Sequence, residues 1–125
     1  MKTIVSTKDA PSAIGPYSQA VVHNQTIYVS GQLPVDPATG ELVTGDIAAQ
    51  TTRAMNNIKA IVEAAGGKMD GIIKTSILLA DLSNFAAVNE AYAKFFPTDP
   101  PARVCYQVCA LPKGAEIEID AVCAT

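Results

Sequence analysis

An arginine heads the strand-like run "RVCYQVC", with Cys105 and Cys109 behind it, and the chain closes on the alternating acids of "EIEIDAV". Arg103 offers a planar fork of donors that grips a carboxylate through two hydrogen bonds and stays charged at any working pH. The competing reading is a structural ion pair with Glu118 or Asp120 across the strand pair, since both kinds of arginine leave the same trace in sequence. Glu118 is the candidate general base: a carboxylate set among isoleucines is desolvated, its pKa rises, and it can exchange a proton with water. Its bland reading is the polar edge of an amphipathic strand.

Cys105 would be a nucleophile only if His23, the single histidine, arrived from far away in the chain. A small residue lining a pocket is the better fit, and Cys109 and Cys123 follow the same reading. Tyr17, after a proline in "IGPYSQ", either aims its hydroxyl at a ligand or packs as an ordinary aromatic. Ser30-Gly31 is read as a strand end where backbone N–H groups become free to meet an anion, or simply as a strand stop. "AAGG" closes a helix rather than opening one, so it is a C-cap and not a phosphate loop.

These residues must be carried by a single domain spanning 1–125, a length that leaves no room for a second. Three cysteines without a CxxC, and one histidine, argue against a disulfide framework and a zinc site and point to a reducing, cytoplasmic setting. A net charge of −3 with only two arginines leaves no basic stripe for nucleic acid. No apolar run reaches the ~18 residues that would span a bilayer, and the opening "MKTIVSTKDAPSAIGPYSQ" does not read as a secretory signal. With 49% hydrophobic residues, the chain has apolar surface to spare for a partner.

Periodicity predicts a strand at 3–6, a hairpin of "QAVVH" and "TIYVSG" turning on "NQ", and an ordered loop through "LPVDPATGELV". A helix is predicted from a cap at Asp46 to a stop at Gly66-Gly67, with Arg53, Asn56, Asn57, Lys59 and Glu63 largely on its solvated side. "GIIKTSILLA" reads as a strand buried on both faces. A second helix is expected over about 83–96, capped by Ser83, with Phe85, Val88, Tyr92, Phe95 and Phe96 along one stripe. Two strands close the order β-β-β-α-β-α-β-β, an α+β fold with two helices on one face of a mixed six-stranded sheet. Period two gathers Glu116, Glu118 and Asp120 on one face of the last strand, and Arg103, Cys105, Gln107 and Cys109 on one face of the strand before it. Two helices cannot cover both sides, so this polar face is expected to take a second subunit, with a site trapped at the seam.

"AIGPYSQAV", "YVSGQLPVDPATGELV", "NNIKAIVEAAGG", "ILLADLSNFAAVNEAYAKFF" and "PARVCYQVCALPKGAEIEIDAV" together resemble the Rid family, the reactive-intermediate deaminases also called YjgF-type proteins. The resemblance runs in order from about Lys2 to Ala124. It implies a chorismate-mutase-like fold and a homotrimer with clefts between subunits. It implies cofactor-free, metal-free hydrolysis of 2-iminobutanoate and 2-iminopropanoate to 2-oxo acids and ammonia, which would protect pyridoxal-phosphate enzymes. Arg103 would hold the substrate carboxylate, assisted by the main chain at Gly31 and Cys105, with Tyr17, Ser30 and Asn89 lining the cleft and Glu118 positioning water. Cys109 departs from the family's smaller or basic residue. The alternatives are an endoribonuclease or translation inhibitor, which the acidic charge disfavours, and a regulatory module that binds a carboxylate metabolite without turnover.

Overall fold

The computed structural model describes residues 1–125. Its strands are β1 (Thr3–Val5), β2 (Ala20–His23), β3 (Thr26–Gln32), β4 (Ile72–Leu79), β5 (Ala102–Gln107) and β6 (Ile117–Ala124), with helices α1 (Ile47–Ala64) and α2 (Phe85–Ala93). This is the element order expected. The single sheet runs β1-β2-β3-β6-β4-β5, every neighbouring pair antiparallel except β4–β5. That parallel pair requires a crossover, and α2 supplies it.

The β2–β3 hairpin turns on Asn24 and Gln25, both left-handed at φ 48° and 64°, the twist that a two-residue turn needs to match its strands. Thr125 donates from both its N–H and its hydroxyl to the Gln25 carbonyl, tying the chain end to this turn.

The Asp46 side chain accepts from the Ala48 N–H at the start of α1, and Gly66, at φ 89°, turns the chain out of its end. Ala54, Met55, Ile58, Ile61 and Val62 are buried against Ile27, Ile77, Ile119 and Cys123 of the sheet. Asn57 does not lie on the solvated side: it is fully buried, and its amide donates to the Leu33 and Val35 carbonyls, fastening the loop that follows β3 onto the helix.

Two further expectations change. β4 is buried on one face only: Ile72, Thr75, Ile77 and Leu79 point under the helices, whereas Ile73 is 53% exposed. The second helix starts later than Ser83, because Leu82–Asn84 forms a 3-10 turn capped by Asp81, whose side chain accepts from the Ser83 N–H. That same contact holds the Asp81 carboxyl below its ordinary range.

Candidate active site

Glu118 stands on the side of the sheet that the helices leave open, between the buried Ile117 and Ile119. Pairing places Leu78 beside it on β4 and Tyr106 beyond that on β5, so these three share the open face. Burial raises the Glu118 pKa above its ordinary 4.5, and the neighbouring charge of Asp120 raises it further. A carboxylate that holds its proton more tightly than an exposed one is what this environment makes.

Opposite Glu118 the β3 strand is irregular. Val29 pairs with Ala121 and Gln32 with Ile119, so Ser30 and Gly31 together face one residue of β6. The strand was expected to end here; instead it bulges and continues to Gln32. A Cβ on Gly31 would sit 2.6 Å from Glu118 Oε2, so glycine is what lets backbone and carboxylate meet. The Ser30 hydroxyl is already committed, donating to the Ser18 carbonyl at 2.6 Å, and the Ser30 N–H donates to Gln19. Ser30 therefore holds the loop of Tyr17 against the strand. Tyr17, Ser30, Gly31, Lys113 and Glu118 all line one cleft of about 730 Å³.

Arg103 stands elsewhere. In the β4–β5 register it lies beside Thr75, and Cys105 beside Ile77, on the face that the helices cover. Its Nη1 donates to Asn89 Oδ1 at 2.6 Å. Its guanidinium carbon lies 5.1 Å from the centre of the Tyr92 ring and 5.5 Å from that of Phe85. A cation over an aromatic face gains about 0.5–1 kcal/mol at such half-exposed sites, so the two rings and one amide hold the group without neutralising it. Arg103, Asn89, Tyr92, Phe96, Pro100 and Pro101 line a second depression of about 620 Å³. The Cys105 thiol is pushed up by burial, with a smaller opposing pull from Arg103, which makes it a poor nucleophile and fits a lining role.

The expected neighbourhood of Arg103 and Glu118 is therefore corrected. β5 and β6 are consecutive in the chain but β4 lies between them, and the two side chains point to opposite faces. A structural ion pair with Glu118 or Asp120 is corrected with it, since the partner of Arg103 is the neutral Asn89. Gln107 stays in phase with Arg103 and Cys105, but Cys109 falls outside β5 and is exposed.

The family model described as Endoribonuclease L-PSP matches residues 7–125. The chain belongs to this family, the Rid/YjgF proteins. A human relative named 2-iminobutanoate/2-iminopropanoate deaminase is 49% identical over 122 residues, which is 98% of this Rid-family chain and 89% of the relative. A crystal structure from Thermotoga maritima, described as a candidate endoribonuclease, superposes with TM-score 0.98 at 46% identity, covering 100% of this chain and 98% of that one. E. coli TdcF with bound serine superposes with TM-score 0.94 at 42% identity over 98% of each chain.

Sequence reasoning missed the supports of this Rid-family site. Phe85 and Tyr92 share one helical face with Asn89, at four- and three-residue steps; the resemblance placed Asn89 in the cleft, but Phe85 and Tyr92 read as core. Gln19 gave no signal: its buried amide accepts from the Thr7 N–H and donates to the Thr7 and Pro11 carbonyls, fixing the segment before Tyr17.

Proposed function

We propose that this protein hydrolyses short 2-imino acids, 2-iminobutanoate and 2-iminopropanoate, to 2-oxo acids and ammonia, in clefts between the subunits of a homotrimer. The observation that carries the reading is a permanently charged guanidinium held by two rings and a neutral amide, with donors left over for a small carboxylate. Relatives of human, goat, cattle and rat origin at 48–49% identity bear the deaminase name.

The opposite placement of Arg103 and Glu118 supports a site shared between copies, because one chain cannot turn both toward the same ligand. The open face also carries exposed apolar groups, Tyr28, Val104 and Tyr106, of the kind that a second copy covers. In the assembled cleft Arg103 of one copy orients the substrate carboxylate, and the Tyr17–Gly31–Glu118 wall of the adjacent copy encloses the imine.

Glu118 takes a proton from water as its oxygen bonds to C2, and the C=N π electrons move onto nitrogen, giving a carbinolamine. Glu118 then returns that proton to the nitrogen, and loss of the hydroxyl proton re-forms C=O as the C–N bond breaks and ammonia leaves. The iminium carbon is already electrophilic, so orientation and a proton acceptor are sufficient and no cofactor is invoked. No helix is long and apolar enough to cross a membrane, and we place the activity in the cytoplasm.

The test is a coupled assay in which a dehydratase releases 2-iminobutanoate from threonine in the presence of semicarbazide. The protein should divert the imine, lowering semicarbazone formation; no diversion at micromolar protein would refute the reading. An RNA-directed role rests on the family's name, and 12 acidic against 9 basic residues count against it.

A further inference from the structure

Arg103 sits on an edge strand, where a long side chain is ordinarily free to sweep through many rotamers. What restrains it is built from two elements. Tyr92, nearly buried at 5% exposure, lies under the guanidinium, and its hydroxyl is 2.6 Å from Thr75 Oγ1. Thr75 is fully buried and is the β4 residue directly paired with Arg103. The ring beneath the cation is thus pinned to β4, the strand paired directly with the one that carries the cation.

Phe96 packs against the Tyr92 ring, with centroids 5.0 Å apart and planes tilted by 49°. Asn89, one turn earlier on the same face of α2, takes one N–H. Valine and phenylalanine would fill the same space, so what the hydroxyl pair adds is not volume but a directional tie between α2 and β4.

We infer that the Thr75–Tyr92 hydroxyl pair is a positioning device: it fixes the plane of the Arg103 guanidinium, and so the direction in which its free donors meet a carboxylate. The inference rests on the carboxylate-binding role proposed for Arg103. Its effect falls on substrate affinity and not on the proton transfer, because neither residue reaches the wall that holds Glu118.

The experiment measures 2-oxobutanoate affinity by calorimetry, with KM and kcat for 2-iminobutanoate alongside. Thr75→Val and Tyr92→Phe remove the pair while keeping the volume, and each should weaken 2-oxobutanoate binding about 3- to 10-fold and raise KM with kcat held. The double variant should be no weaker than either single, since both lose the same interaction. Thr75→Ser, which keeps the hydroxyl, should bind as the parent does. Ile58→Val, a core change in α1, should lower Tm without moving affinity. Unchanged affinity in Thr75→Val and Tyr92→Phe, or an equal loss in Ile58→Val, would overturn the inference. Undiminished binding by Arg103→Ala would instead remove the carboxylate role beneath it, a separately visible failure.

Discussion

Arg103 and Glu118 lie on opposite faces of one sheet, with β4 between their strands. Chemistry that used both on one ligand would therefore draw them from two copies of the chain.

Arg103→Ala should leave the fold and the assembly intact and lower kcat/KM for 2-iminobutanoate by at least about 100-fold, the loss of a charge-assisted bidentate contact worth ~3 kcal/mol. Arg103→Lys should recover only part, since an ammonium cannot reproduce the planar fork. Steady-state kinetics with size-exclusion chromatography on the same samples check both halves.

Gly31→Ala tests the meeting of backbone and carboxylate. The added methyl, 2.6 Å from Oε2 and 2.9 Å from Cδ of Glu118, must push that flexible side chain aside. Thermal stability should change little, because the carboxylate can swing away. Activity should fall roughly 10- to 100-fold, the scale of an ~1 Å misplacement of a reacting group. A large drop in Tm with proportionate activity would contradict it.

The pH profile should carry the mark of Glu118. Its pKa is raised first by burial and then by Asp120, so the acid limb of kcat/KM should lie above 4.5. Asp120→Asn removes the smaller cause and should move that limb down without restoring the ordinary value. The stability sign is the reverse of the usual carboxylate. The folded state binds the Glu118 proton more tightly, so the contribution of this group to stability is full below 4.5 and is lost as pH rises through the elevated pKa. Glu118→Gln should accordingly raise Tm at pH 8 and leave it nearly unchanged at pH 4.

Much of the fold was legible because its signals are local. The Asp46 cap, the Gly66 exit and the Asn24–Gln25 turn each depend on a few adjacent residues, and the element order follows from period two and period 3.6. The relation between strands was not local. That β4 inserts between β5 and β6 is set by the crossover through α2, and the register that aligns Arg103 with Thr75 and Ala121 leaves it on the face opposite Glu118. β4 misled for a related reason: Ile73 is exposed and Leu78 lies on the open face, and apolar residues there read in sequence like ones covered by a helix. Within the site, Tyr92 gave a core signal and is indeed buried; that its ring also carries a cation depends on the register of a strand ten residues further on.

Subunit mixing tests the shared site most directly. Arg103→Ala and Glu118→Gln should each be inactive alone. Equal amounts, co-expressed and with mixed trimers confirmed by native mass spectrometry, should regain activity at about one quarter of all sites, or one site in each mixed trimer, where an intact Arg103 meets an intact Glu118 across a cyclic interface. Mixed trimers as inactive as their parents would contradict a site assembled from two copies.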